Sequence, residues 1–176
     1  GGDLMKLDVR RLNRILSYLY EDIKNLSDDD RELPIKWSVM HMFSSSQLAS
    51  LVALKRGLNP ELLAISAALH DIGAIKTKRR ENHAENASIF VYEIIEVYNS
   101  SLRGDLPLIN DEEIKIIHET VVNHSDKVNI SDNLYVEAMK DVDSLDRYLH
   151  GINTKGDHIN HLNNLLDIFE IKIEDE

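Results

Sequence analysis

The stretch Glu61-Leu-Leu-Ala-Ile-Ser-Ala-Ala-Leu-His-Asp-Ile-Gly73 decides the fold of this chain, because it is apolar on nearly every face of a helix. A helix that is hydrophobic all round lies in the middle of a bundle. Asn59 and Pro60 stand just before it, and both residue types favour the first turn of a helix. The stretch nevertheless ends in His70-Asp71, and a buried carboxylate is costly unless a cation, an arginine or a helix cap compensates its charge.

Apolar residues recur at helical spacing along the rest of the chain, where proline and glycine are scarce. We therefore predict an all-α fold of about seven helices and no strand. The predicted helices cover roughly residues 4–26, 36–56, 60–73, 82–98, 111–124, 133–150 and 157–169, and the longer loops cover 73–81 and 99–110. With 176 residues the chain can bury one core. This predicts a single domain over 1–176, in which the first and last helices pack on a motif-bearing part at about 36–150.

Composition and charge limit the partners that the chain can have. The formal net charge is −11, which disfavours long nucleic acid unless basic residues cluster locally. One short cluster exists, and it is either a solvated loop or a site for one phosphorylated small molecule: Lys76, Lys78, Arg79 and Arg80. The chain has no cysteine, which excludes disulfides and thiolate metal sites. It shows neither a membrane-length apolar run nor an export signal, so we expect no membrane partner and a cytoplasmic location.

Other polar residues also lie on the apolar stripes of predicted helices, namely His41, His83, His124 and Asp143. Each has an ordinary explanation, since a lone inward histidine is usually a hydrogen-bonded core residue and a lone aspartate is usually an ion-pair partner or a cap. Together with His70-Asp71 they occupy five successive helices, and inward side chains of a bundle can converge on one metal site. Imidazole and carboxylate ligands without sulfur suit Mn, Fe, Ni, Co or catalytic Zn rather than a closed structural Zn site.

This pattern resembles the HD superfamily of metal-dependent phosphohydrolases over roughly residues 36–150. The resemblance rests on His41, on the His-Asp pair in Ala67-Ala-Leu-His-Asp-Ile-Gly73, and on Asp143 in Lys140-Asp-Val-Asp-Ser-Leu-Asp146. The segment His158-Ile-Asn-His-Leu-Asn-Asn-Leu-Leu166 is similar to the closing helix of small stand-alone bacterial members. The resemblance implies an all-α, single-domain bundle of the HD type. It also implies a divalent metal ion, which could be Mn, Fe, Ni, Co, Mg or Zn.

The resemblance also implies roles for individual residues. It gives four metal ligands, His41, His70, Asp71 and Asp143. Some members hold a second metal, for which His83 and His124 are the best matches and His118 is a weaker one. The metal would activate a water to hydroxide that attacks phosphorus, and an uncoordinated histidine, His118 or His83, would protonate the leaving oxygen. The candidate catalytic residues are therefore Asp71, His70, His83 and His118.

The chain departs from the family pattern at one basic position. Many members place lysine directly after His-Asp-Ile-Gly, where this chain has Ala74. Candidates for binding a substrate phosphate are the basic cluster and Arg147, namely Lys76, Lys78, Arg79, Arg80 and Arg147. Arg147 could equally form a surface ion pair. For His150, His158 and His161 we expect surface or structural roles.

The function that follows is cleavage of a phosphomonoester, phosphodiester or pyrophosphate bond in a small molecule such as a nucleotide. Three alternatives remain open. The first is a metal-binding nucleotide sensor with little turnover, and the second is a di-iron oxygenase of the same fold. The third is a structural helical protein whose inward polar residues pair with one another. The substrate, the number of metals and the oligomeric state stay open, and an oligomer is compatible with the sequence.

Overall fold

The fold is described from a computed structural model, for residues 7–101 and 104–173. Regular structure in these ranges is entirely helical. The helices are α1 (Arg10–Ile23), α2 (Ile35–Arg56), α3 (Pro60–Leu69), α4 (Ile72–Thr77), α5 (His83–Asn86), α6 (Ser88–Ser100), α7 (Asp111–Asn123), α8 (Leu134–Leu149) and α9 (His158–Leu166). Within the same ranges, none of these helices combines the length and the hydropathy that crossing a membrane requires.

Helix α3 forms the centre of the bundle, as its all-round apolar sequence predicts. Every residue from Pro60 to Leu69 is buried, and α3 packs against α1, α2, α7 and α8. Its first turn is capped by Asn59, whose Oδ1 accepts the backbone N–H groups of Glu61 and Leu62 at 3.0 and 3.2 Å. Helix α1 packs directly on α3 and also contacts α2 and α6, whereas α9 packs on α8, which itself contacts α3.

The all-α prediction is confirmed, but the helix boundaries differ around the His-Asp pair. The predicted third helix ends at Leu69 instead of Gly73, because Asp71 leaves helical geometry with φ −102° and ψ 9°. The prediction of a loop over 73–81 was wrong for residues 73–77, which belong to α4. The predicted helix over 82–98 is divided into α5 and α6, and α1 is shorter than 4–26, of which residues 4–6 lie outside the described part of the chain.

Gly73 allows α5 to approach the break after α3. A Cβ atom at this position would lie 1.9 Å from the carbonyl oxygen of His83, so any larger residue would push the two helices apart. The missing side chain therefore lets α5 pack directly on α4. This close approach brings the side chain of His83 within reach of Asp71, whose Oδ1 lies 3.3 Å from His83 Nε2.

A buried ion cluster joins three helices at the opposite end of α3. Arg11 Nε donates to Glu61 Oε1 at 2.6 Å, and Arg11 Nη2 donates to Glu113 Oε2 at 2.7 Å. The three side chains are only 10%, 6% and 16% exposed, in the order Arg11, Glu61 and Glu113. Removing one partner from a buried ion pair leaves an uncompensated charge, which costs more than the pair itself contributes.

We therefore expect Arg11→Met to destabilise the fold by about 3–5 kcal/mol, because Glu61 and Glu113 would lose their shared cation. Urea denaturation followed by circular dichroism measures the change in the free energy of unfolding. Arg10→Met is the matched control, since Arg10 is exposed and its ion pairs with Asp8 and Asp105 are screened by water. A loss of stability in Arg11→Met no larger than in the control would contradict this account.

Candidate metal centre

The break after α3 carries one half of a histidine–aspartate cluster. His70 directly follows α3 as its C-cap, His41 comes from α2, and their Nε2 atoms lie 2.9 Å apart. Two carboxylates face this pair. Asp143 Oδ1, from α8, lies 3.0 Å from His41 Nε2 and 3.4 Å from His70 Nε2. Asp71 Oδ2 lies 3.5 Å from His41 Nε2 and 3.4 Å from His70 Nε2.

The other half of the cluster surrounds the second oxygen of Asp71. Asp71 Oδ1 lies 3.3 Å from His83 Nε2 of α5 and 3.8 Å from His124 Nε2 at the end of α7. These two nitrogens are themselves 3.1 Å apart. In each half, Asp71 and the two histidines offer ligand atoms within 4.8 Å of one another, as a metal site requires, and a third such group joins His70, His124 and Asp143. Asp71 is therefore placed to bind with one oxygen to each half.

All four histidine rings use Nδ1 for a hydrogen bond directed away from the cluster. His41 Nδ1 donates to Asp146 Oδ2 at 2.6 Å, and the other three donate to the backbone oxygens of Ala67, Arg80 and Val121 at 2.5, 2.9 and 2.6 Å. These acceptors place a proton on Nδ1, so a neutral ring presents the lone pair of Nε2 to the centre. Facing lone pairs 2.9 and 3.1 Å apart repel unless a cation or a proton lies between them. The imidazole nitrogens and carboxylate oxygens of this cluster therefore fit a divalent metal ion.

The protonation of the cluster follows from burial and from these contacts. Burial lowers the pKa of His41, but its hydrogen bonds with Asp143 and Asp146 outweigh burial and raise the pKa to about 10. Burial, together with the neighbouring His70 and Lys127, lowers the pKa of His124 to about 3. Burial also disfavours ionised Asp71, yet His70 and His83 outweigh it and hold the pKa of that carboxyl well below its usual range. Protons thus compete with a metal for this centre.

The ring of His41 is fixed from behind by residues of α2 and α8. Asp146 Oδ2 accepts a second hydrogen bond from Ser44 Oγ at 2.9 Å, and the side chain of Asp146 is only 3% exposed. The indole of Trp37 stacks on the imidazole of His41, with ring centroids 4.9 Å apart and planes inclined by 12°. Trp37 is the single tryptophan of the chain, so its fluorescence can report on the state of His41.

A cavity of about 190 Å³ opens onto the cluster. The charged and imidazole groups that line it are Asp71, Arg80, His83, His124, Lys127, Asp143, Arg147 and His158. Among the described residues, the guanidinium groups of Arg80 and Arg147 have no hydrogen-bond or ion-pair partner. The surface ion pair considered for Arg147 is therefore not formed with these residues. The cavity thus combines the cluster with two cations that are free to bind an anion.

The other predicted site residues lie elsewhere. Lys76 pairs with Asp22, Arg79 pairs with Asp30 at 3.0 Å, and Lys78 is not part of the cavity wall. His118 faces α6, where its Nε2 lies 2.7 Å from Ser88 Oγ and its ring stacks on Tyr92. The structure therefore does not bring His118 to the cluster, so its suggested role as an acid has no support from its position.

Three residues of the site were missed by sequence reasoning. Lys127 and His158 lie in or next to irregular segments, where no periodicity predicts which way a side chain points. Asp146 was quoted only as part of a motif, although its spacing of three residues from Asp143 places both on one face of α8. That spacing is the one signal that could have identified Asp146 as the partner of His41.

His161 fixes the loop that carries Lys127, a structural role. Its Nδ1 lies 2.6 Å from Asp141 Oδ1 and its Nε2 lies 3.0 Å from the backbone oxygen of Lys127. Both oxygens can only accept, so both ring nitrogens must donate and the ring is an imidazolium. The hydrogen bond with Asp141 raises the pKa of His161 although burial opposes it.

Comparison with known proteins identifies the family of the chain. The HD domain family model matches residues 39–148. The chain is similar to an uncharacterized protein of Clostridium beijerinckii, with 30% identity over 142 residues that cover 78% of this chain and 83% of the relative. No solved structure matches the chain significantly. The chain belongs to the HD domain family, a superfamily of metal-dependent hydrolases, and its histidine–aspartate groups could hold the metal.

We expect Asp146→Asn to weaken metal binding by about 10–100-fold, because His41 would lose the carboxylate that orients its ring. The measurement is a titration of chelator-treated protein with Mn²⁺, followed by the fluorescence of Trp37. Asp132→Asn is the control, since Asp132 is an exposed aspartate in the loop before α8. Equal affinities for the two variants would show that Asp146 does not support the centre.

The pair formed by His161 and Asp141 should make stability depend on pH. The pKa of His161 is higher in the folded state than its ordinary value of about 6.5. The protonated His161 side chain therefore stabilises the fold fully at pH values below about 6.5, and this stabilisation is lost as pH rises through the folded-state pKa. His161→Gln keeps a hydrogen-bond donor without the charge. Urea denaturation should show a larger difference between wild type and this variant at pH 6 than at pH 9, and a difference that grew with pH would contradict the assignment.

Proposed function

We propose that this protein hydrolyses a phosphomonoester, phosphodiester or pyrophosphate bond of a small phosphorylated molecule, with a nucleotide as the first candidate. The single observation that carries the proposal is the position of Asp71. Each of its oxygens faces a pair of histidine nitrogens, and its side chain lies in a cavity that also holds two unpaired guanidinium groups. Metal ligands and anion-binding groups side by side are what phosphoryl chemistry requires.

The roles of the residues follow from their places around the cavity. His41, His70, Asp71 and Asp143 would hold one divalent metal, and His83 and His124 would hold a second with the other oxygen of Asp71. A bound metal lowers the pKa of a coordinated water, which supplies a nucleophile near neutral pH. Arg80 and Arg147 would orient the phosphate oxygens and offset the charge that develops on them. His83, which is less buried than His124, could protonate the leaving oxygen when it is not a ligand.

The cavity favours a small substrate. Its volume of about 190 Å³ is below the 300–1,000 Å³ of common ligand pockets, so a phosphate group would enter and the remainder of the molecule would lie over the opening. The net charge of −11 would repel the backbone of long nucleic acid. The cytoplasmic location stays a prediction, and the oligomeric state stays open.

One alternative is supported by the same arrangement. A carboxylate with one oxygen toward each of two histidine pairs could also hold two iron ions, as a di-iron oxygenase of this fold would need. Oxygen-dependent consumption of a substrate by iron-loaded protein would favour the oxygenase. Binding of a nucleotide without any turnover would favour the sensor.

Metal analysis joined to an activity screen tests the proposal. Protein purified without chelator should contain a divalent metal and should hydrolyse at least one member of a broad phosphoester panel with Mn²⁺, Ni²⁺ or Co²⁺. The double variant His70→Ala, Asp71→Ala should lose both metal and activity, because it removes ligands from both halves of the cluster. Asp132→Ala should keep both. Metal-free wild type that behaves like the double variant would refute the proposed function.

A further inference from the structure

We propose that Lys127 binds the substrate phosphate in this cavity. The inference rests on the proposed function and adds a residue to it. Ala74 and Lys127 line the same cavity, although they lie 53 positions apart in the chain. A lysine side chain at position 74 or at position 127 could therefore place its ammonium group in this cavity.

The ammonium group of Lys127 lies beside the metal ligands. Its Nζ is 3.0 Å from Asp143 Oδ2 and 2.7 Å from the backbone oxygen of His124. Asp143 turns its other oxygen toward His41 and His70. A substrate oxygen bound at the cluster would thus lie next to a cation that is already desolvated, since the side chain of Lys127 is only 7% exposed.

Lys127 retains the capacity for one more bond. An ammonium group has three N–H donors; one donates to the backbone oxygen of His124, and the group also forms an ion pair with the carboxylate of Asp143. Among the described residues no third acceptor lies within hydrogen-bond distance of Nζ. The free donor belongs to a side chain that lines the cavity, so an anion entering the cavity is the available acceptor.

The backbone at Lys127 has an anchor that does not involve the lysine side chain. The backbone oxygen of Lys127 accepts a hydrogen bond from His161 Nε2 at 3.0 Å. His161 is held by Asp141, which forms an ion pair with Arg56 at 2.7 Å. Replacing the side chain of Lys127 leaves this anchor in place, which makes a direct test of the ammonium group feasible.

The test measures the binding of inorganic phosphate and of Mn²⁺ separately, with the full chain. Calorimetry of Mn²⁺-loaded Lys127→Met should show phosphate affinity lowered by at least about tenfold, because one charged hydrogen bond is lost. Mn²⁺ affinity, followed by the fluorescence of Trp37, should be unchanged or higher because a positive charge leaves the site. Lys115→Met, which changes an exposed lysine of α7, should alter neither affinity.

Moving the lysine to position 74 gives a second readout. The double variant Ala74→Lys, Lys127→Met should recover phosphate affinity relative to Lys127→Met. If Lys127→Met does not fold, Lys127→Gln serves in its place, because the amide keeps a donor without the charge.

Two results would overturn the inference. One is unchanged phosphate affinity in Lys127→Met, and the other is a parallel loss of Mn²⁺ affinity, which would mean that Lys127 only holds the ligands in place. Phosphate binding is measured without turnover. A protein that binds Mn²⁺ and phosphate through Lys127 but cleaves no phosphoester would therefore defeat the proposed function and leave this inference intact.

Discussion

The carboxylate of Asp71 is the group on which the remaining structure of the centre depends. It lies where α3 ends, and its two oxygens face two separate pairs of histidine nitrogens. An ionised carboxylate among buried apolar residues is costly unless cations surround it. Protonated imidazole or a bound cation can supply that compensation, and the hydrogen bonds on Nδ1 of each ring leave Nε2 directed at the centre. These nitrogen and oxygen atoms can therefore be compensated by protons or by a divalent metal ion.

The fold brings these groups together with a few local devices. The all-apolar helix α3 carries His70 into the middle of the bundle, and the departure of Asp71 from helical geometry turns its side chain toward the cavity. Gly73 lets α5 approach closely enough for His83 to reach the carboxylate. Asp146 orients His41 from α8, and His161 fixes the loop that carries Lys127. Support for the centre therefore comes from residues that do not touch it.

The sequence predicted the parts of this site that helical periodicity can reveal. His41, His124 and Asp143 were recognised because they stand on apolar stripes, and the structure brings them together with His70-Asp71. The break at Asp71 was not predicted, because the apolar pattern continues through Ile72 and Ile75 into α4. Lys127 could not be found, since its place depends on long-range contacts of an irregular loop. His118 was expected near the cluster but lies against α6, because its face of α7 contacts Ser88 and Tyr92 of that helix.

Anomalous diffraction from crystals of the Mn²⁺-loaded protein tests the central claim most directly. The account predicts an anomalous peak in contact with Asp71 and with Nε2 of His41 and His70. It also predicts that the carboxylate of Asp143 approaches the same peak. A crystal that shows no ordered Mn²⁺ at this cluster, or Mn²⁺ bound only at surface carboxylates, would contradict the account.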